Sequence, residues 1–340
     1  MNTETTQLKV GMVMDPIADI KPYKDSSFAM LLEAQRRGHK LFYMEPTDLF
    51  LKNGRPFAET AELKVWDRAQ SDVTSQFYGF GASEETDLGS LDILFIRQDP
   101  PFNNDYLYAT QMLELAETQG VLVVNKPQSL RDANEKLFAS HFPDCIPPTL
   151  VAADAARLKH FIQDHLDVIL KPLDAMGGAS IFRVTAQDPN INVILETMTD
   201  HGRHHIMAQV YLPEIKQGDK RILLVNGNPI PYALARIPAD GETRGNIAAG
   251  GTGVGVPLNE RDHWLCQQIA PTLQKKGLHF VGLDVIGDYI TEINVTSPTC
   301  IRELDAQYNL NIAGTLFDHL ENHLKTQSTP AEPNGFQTMH

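Results

Sequence analysis

The stretch GLDVIGDYITEINV, Gly282 to Val295, carries more of this chain's chemistry than any other. Phe280 to Ile286 and Tyr289 to Val295 read as two apolar strands meeting at a glycine-bearing turn. Glu292 and Asn294 stand two residues apart on the second strand, so their side chains share a face. Whether Asp284 joins them depends on the turn. A three-residue turn, Gly287-Asp288-Tyr289, sets Asp284 opposite Glu292 on that face, whereas a two-residue turn sets them on opposite faces. We expect the odd-length turn or a bulge. Three oxygen donors on one face, with no thiol or imidazole beside them, suit Mg2+, or Mn2+ in its place. Asp284 and Glu292 also sit among Val, Leu and Ile, where two like charges are costly to bury without a cation.

Basic residues collect near glycines elsewhere. Lys171 ends an apolar strand and is followed by PLDAMGGAS, in which Gly177 and Gly178 let backbone N–H groups approach phosphate oxygens. The segment has neither GK[ST] nor GxGxxG, and alone it is equally a plain hairpin. Residues 237–255, IPADGETRGNIAAGGTGVG, hold six glycines and few large side chains. A stretch this long and this poor in core residues reads as a lid, with Arg236 before it and Arg244 within it to meet a reacting phosphate. Arg221 opens another strand. Thr296 to Glu303, TSPTCIRE, follows Asn294 directly, and reads either as a helix cap or as a clamp with Arg302 available for a carboxylate.

The rest of the chain frames these features. Strand, helix and strand alternate over Val10–Met14, Ser26–Arg37 and Lys40–Met44, and again over Leu91–Ile96, Asp105–Thr118 and Val121–Val124. That order predicts a parallel sheet, with Ser26 or Ser27 capping the first helix. Pro56 to Ser90 is polar and irregular, a meander or insertion at one edge. A helix over Ser129–Phe142 and another over Asp154–His165 lead into strands at Val168–Lys171, Ser180–Val184 and Ile206–Val210. Strands then dominate, broken by a helix over Glu260–Lys276 and ended by one from Ile312 to Lys325. The expected division is an α/β unit over 1–130, α+β units over 131–212 and 213–326, and a disordered tail over 327–340.

Bulk properties narrow the function classes. At 340 residues the chain exceeds one average domain, and 42% hydrophobic residues suffice for ordinary cores. A formal net charge of −14 argues against nucleic acid and anionic membranes as partners. Cys145, Cys266 and Cys300 are odd in number and far apart, without metal or disulfide spacing, which suits a reducing compartment. Met1 to Leu8 lacks the apolar run of a signal peptide, and no run approaches the ~18 residues of a membrane span. The expectation is a soluble, cytoplasmic protein.

Taken together, MDPI, KDSSFAMLLEAQRRG, NKPQSLRDANEKLF, KPLDAMGGASIFRV, LARIPADGETRGNIAAGG and GLDVIGDYITEINVTSPTCIRE resemble the bacterial glutathione synthases of the ATP-grasp superfamily. The resemblance covers about Lys9 to Lys325 and matches poorly over 56–90. It implies an ATP-grasp fold behind an N-terminal parallel-sheet domain, with ATP gripped between the last two domains. It implies ligation of γ-glutamylcysteine to glycine with ATP as co-substrate, through an acyl phosphate, in a homotetramer. On the matching positions, Lys136, Lys171, Gly177 and Gly178 would meet the phosphates, and Gln209, Tyr211 and Leu212 the adenine. Arg221, Arg236 and Arg244 would serve substrate carboxylates and the transferring phosphoryl group. Asp284, Glu292 and Asn294 would hold the metal, and Ser297, Thr299 and Arg302 the peptide. Two alternatives stand beside this: a ligase of the superfamily joining other substrates, and a nucleotide-binding protein without catalysis.

Overall fold

A computed structural model describes residues 7–67, 76–239 and 252–328. The N-terminal unit is built on β1 (Lys9–Met14), α1 (Ser26–Arg36), β2 (Lys40–Met44), β3 (Leu49–Lys52), β4 (Arg55–Val65), β5 (Tyr78–Asp87), β6 (Ile93–Arg97), α2 (Asn104–Thr118) and β7 (Leu122–Val124). Its strands run in the order β3-β4-β2-β1-β6-β7, with β5 paired to β4. The β1–β2, β1–β6 and β6–β7 pairs are parallel, as the alternating pattern predicts. The 56–90 stretch does lie at one edge, but as two long antiparallel strands rather than irregular chain. Alternating burial along β4 shows why: Ala58, Leu63 and Val65 pack into the hydrophobic cores while polar residues face solvent. Asp25, not Ser26 or Ser27, caps α1 by accepting from Phe28 N at 2.7 Å. Both serines turn inward to other elements instead.

The second sheet is formed by β8 (Thr149–Ala152), β9 (Asp167–Pro172), β10 (Phe182–Thr185) and β11 (Ile206–Val210), in the order β10-β9-β11-β8. It follows α3 (Pro127–Asp132), and α4 (Ala155–His165) and α5 (Ile191–Met198) pack on it around a core of their own. The helix expected over Ser129–Phe142 is broken. It ends at Asp132, and a 3-10 turn over Leu137–His141 resumes after it.

The third sheet runs β14-β13-β12-β15-β16, from β12 (Asp219–Val225), β13 (Asn228–Ile237), β14 (Thr252–Pro257), β15 (Phe280–Ile286) and β16 (Tyr289–Asn294), backed by α6 (Glu260–Lys275). Residues 252–255 of the expected lid are therefore strand, because Thr252–Pro257 pairs along β13. Residues 240–251, Arg244 among them, lie outside the described residues, as does the tail from 329 onward. Two helices, α7 (Ile301–Tyr308) and α8 (Ile312–Ser328), return the chain to the N-terminal unit. Phe317 and Leu320 of α8 share a core with Phe28 and Phe95, and Arg37 reaches Asp318 and Glu321. Asn125 seals the same junction: its side chain donates to Phe280 O and Val295 O at 2.7 Å each and accepts from Phe280 N. Among the described residues no helix is long and apolar enough to cross a membrane.

Beside that seam, His279 meets His319 and His323 of α8, with His279 Nδ1 and His319 Nε2 at 3.0 Å. Burial, then the two neighbouring imidazoles, push His279 down to about 4. Its folded value lies below the unfolded one, so unfolded chain binds more protons between about pH 6.5 and 4. This contribution to stability is complete above pH 6.5 and is lost as the pH falls through the window. Urea unfolding at pH 7.5 and pH 5 should show wild type losing about 2 kcal/mol more than His279→Asn. Equal losses would remove His279 as the cause.

Candidate active site

The two strands of the opening motif are joined by a two-residue turn, Gly287-Asp288, with Gly287 at φ +56°. Taken alone this turn would separate Asp284 from Glu292. A bulge between the pairs Asp284–Glu292 and Val285–Ile290 inserts Thr291 and restores the register. The bulge is the second of the two solutions expected, and Asp284 stands directly opposite Glu292, with Gly282 opposite Asn294.

Acid and base alternate across this sheet face. Arg236 on β13 is paired in register with Asp219 on β12, and Arg221 on β12 with Asp284 on β15. Arg221 Nη2 donates to Asp284 Oδ2 at 3.0 Å, and Arg236 Nη2 approaches the same oxygen at 2.8 Å. Burial disfavours the Asp284 carboxylate, but the two guanidiniums outweigh it and hold the group below the usual carboxylate range. Asp219 goes the other way: burial pushes it up to about 6 despite Arg236. The protein's own cations, Arg221 and Arg236 at Asp284 and Lys136 at Glu292, thus supply part of the compensation that burying the two carboxylates requires. Gly282 is required here, since a Cβ would lie 2.7 Å from Arg221 Cδ.

The second sheet supplies the opposite wall. Ile169, Lys171 and Gln209 line the cleft from β9 and β11, the pairing Gln209–Ile169 placing them on one face. Lys171 Nζ donates to Gln209 Oε1 at 3.0 Å and to Thr291 O at 3.1 Å, and its burial lowers it to about 8. Gln209 therefore spends its side chain on Lys171 and on Thr149 Oγ1, while Tyr211 and Leu212 form the rim. Lys136 Nζ donates to Ala175 O at 2.7 Å and pairs with Glu292 at 3.0 Å. Gly177 and Gly178, at φ +67° and +79°, cross the mouth between these lysines. The walls enclose about 530 Å³.

The far end is closed by the N-terminal unit. Lys21, Lys24, Asp25 and Asp99 line it, opposite Ser297, Thr299 and Glu303. Ser297 Oγ donates to Asp99 Oδ1, and Arg97 Nη2 donates to Pro298 O at 2.9 Å, fixing the turn. Glu303 Oε2 is buried without a hydrogen-bond partner, and burial raises this carboxyl.

Of the expected site residues, Asp284, Glu292, Asn294, Lys136, Lys171, Gly177, Gly178, Gln209, Tyr211, Leu212, Arg221, Arg236, Ser297 and Thr299 all line this one cleft. Arg302 does not. It lies in the first turn of α7, between the cleft residues Cys300 and Glu303, and helical geometry swings it outward. Its guanidinium meets Asp67 at 2.7 Å and covers the Phe28 ring. Arg302→Ala should leave kcat and the peptide KM within about threefold of wild type, as for other surface pairs; a tenfold rise in KM would return it to the site. Glu135, Asp99, Asp219 and Glu303 also line the cleft without having been expected there, since their setting comes from elements distant in sequence.

A profile described as prokaryotic glutathione synthetase, N-terminal domain, covers residues 8–131, and one described as prokaryotic glutathione synthetase, ATP-grasp domain, covers 135–309. The chain is 57% identical over 320 residues to glutathione synthetase of Escherichia coli K12, spanning 94% of this chain and 100% of that protein. Glutathione synthetase of Vibrio parahaemolyticus is 56% identical over 318 residues, 94% of this chain and 99% of that protein. The chain belongs to the prokaryotic glutathione synthetase family. As a member it is an ATP-dependent ligase that forms glutathione. Solved structures agree on the fold alone. D-cycloserine synthetase DcsG superimposes with TM-score 0.62 at 14% identity, over 93% of this chain and 99% of that one. A RiPP-associated ATP-grasp ligase of Chryseobacterium gregarium gives 0.61 at 13%, over 93% and 97%. The chain therefore has the ATP-grasp fold, set behind an N-terminal sheet whose central strands are parallel and whose β3–β5 edge is antiparallel.

Proposed function

We propose that this cleft joins γ-glutamylcysteine to glycine by way of an acyl phosphate, with ATP held between the second and third sheets. The observation that carries the reading is the meeting of Lys136 and Lys171 with the Asp284–Glu292 pair across one cleft. Tyr211 and Leu212 border the adenine, Gly177 and Gly178 cover the phosphates, and Lys136 and Lys171 bind them. Nucleotide phosphate competes for Lys136 and releases Glu292. Glu292, Asp284 and the side-chain oxygen of Asn294, whose amide nitrogen donates to Gly282 O at 3.3 Å, then form an oxygen donor set that fits Mg2+ or Mn2+. When bound, such a cation neutralises phosphoryl oxygens as charge moves between them.

The far pocket suits a γ-glutamyl group, which carries one ammonium and one carboxylate. Asp25, Asp99 and Glu303 offer acceptors, and Lys21 and Lys24 offer cations. The peptide's terminal carboxylate attacks the γ-phosphorus and ADP departs. Arg221 and Arg236, with Arg244 from outside the described residues, steady the charge of the transfer. Glycine's amine next attacks the acyl carbon, and inorganic phosphate leaves from the tetrahedral intermediate. The setting is the cytoplasm and the assembly a homotetramer, which light scattering of the eluted protein would check.

Peptide labelled with 18O in its terminal carboxylate tests the route. One labelled oxygen should appear in inorganic phosphate per turnover, and release of ADP should require both peptide and glycine. Unlabelled phosphate would exclude the acyl phosphate.

A further inference from the structure

The break after Asp132 places three consecutive side chains between separate parts of the cleft. Asn134 Oδ1 accepts from Lys136 N and Leu137 N at 3.1 and 3.0 Å, and its Nδ2 donates to Leu173 O at 3.0 Å, on the approach to Gly177. Lys136 holds Ala175 O and Glu292. Glu135 turns to β16. Its Oε1 accepts from Val295 N (2.9 Å), Thr296 N (3.0 Å) and Thr296 Oγ1 (2.7 Å), and its backbone oxygen accepts from Ile293 N at 2.9 Å.

The grip on β16 therefore falls on both sides of Asn294, with Glu292 just before it and Ser297 just after. Strand β16 ends here, so Val295 N and Thr296 N have left the ladder, whose last pair is Gly282–Asn294. One carboxylate oxygen satisfies both, along with the adjacent hydroxyl. We propose that Glu135 is a positioning residue, which fixes Glu292, Asn294 and Ser297 relative to the phosphate-covering loop and thereby sets cation affinity in the nucleotide complex. This rests on the cation assignment made above. Groups that orient metal ligands from behind change affinity by about 10- to 100-fold when removed.

Mn2+ titrated into the ADP complex, with free Mn2+ read by electron paramagnetic resonance, reports this without turnover. Glu135→Ala should weaken Mn2+ by about 10- to 100-fold. Glu135→Gln should recover to within about threefold, since its amide oxygen still accepts from Val295 and Thr296. The proposal is overturned if Glu135→Ala binds Mn2+ like wild type. It is also overturned if Glu135→Gln loses as much as Glu135→Ala, for charge rather than placement would then be the cause. Should Glu135→Ala fail to fold, Thr296→Val takes its place: weaker Mn2+ binding supports the strut and wild-type binding overturns it. Glu292→Gln serves as the reference. If it leaves Mn2+ binding unchanged, the cation assignment itself has failed, which is distinguishable from failure of the strut.

Discussion

Glu292→Gln should lower kcat by on the order of 10²- to 10³-fold or more while the melting temperature stays within a few degrees of wild type. Glu292 stands opposite Asp284 in the strand register and within 3.0 Å of Lys136 Nζ, so it touches both the proposed cation set and the lysine proposed to bind phosphate. The replacement keeps size and hydrogen-bonding capacity and removes one negative charge. A neutral amide binds a divalent cation more weakly than a carboxylate, and the loss is felt where phosphoryl charge is redistributed. Folding should tolerate it, because the side chain is only partly buried and Lys136 retains Ala175 O as a partner. Turnover within threefold of wild type would remove Glu292 from the chemistry.

Arg236→Leu should be the most destabilising single change in the cleft. Arg236 is buried, and its Nη2 serves Asp219 Oδ2 and Asp284 Oδ2 together. Without it Asp284 keeps Arg221, but Asp219, whose Oδ1 already lacks a partner, is left as a buried charge with none of its side-chain bonds. Breaking a buried pair in this way costs about 3–5 kcal/mol. At about 2–4 °C per kcal/mol, thermal unfolding should begin about 10 °C lower. Adding Asp219→Asn should restore part of the loss, since the stranded charge is what the single variant leaves behind. A melting temperature within about 2 °C of wild type would show that solvent or rearrangement relieves Asp219.

How far the sequence reaches can be judged from particular residues. The alternating strand–helix order of the first 124 residues implies the parallel sheet, because local periodicity and the right-handed crossover leave few other topologies. The spacing of Glu292 and Asn294 puts them on one face whatever surrounds them. The motif resemblance adds ATP-dependent formation of glutathione, which the close relatives bear out. These are properties of residues near one another in the chain.

Other features depend on contacts between residues far apart. The turn at Gly287 has two residues, and Asp284 faces Glu292 only because a bulge at Thr291 takes up the difference. Register is a property of the pair of strands, and sequence offered both solutions. Arg302 lies beside the cleft-lining turn at Ser297 to Thr299 in sequence yet faces Asp67, since α7 begins at Ile301 and rotates it away. Glu135 sat inside an expected helix, and its task appears only once the end of β16 needs acceptors 160 residues away. Acids and bases announce their charge in the sequence, but their partners, burial and resulting proton affinity are set by which strands the fold makes neighbours.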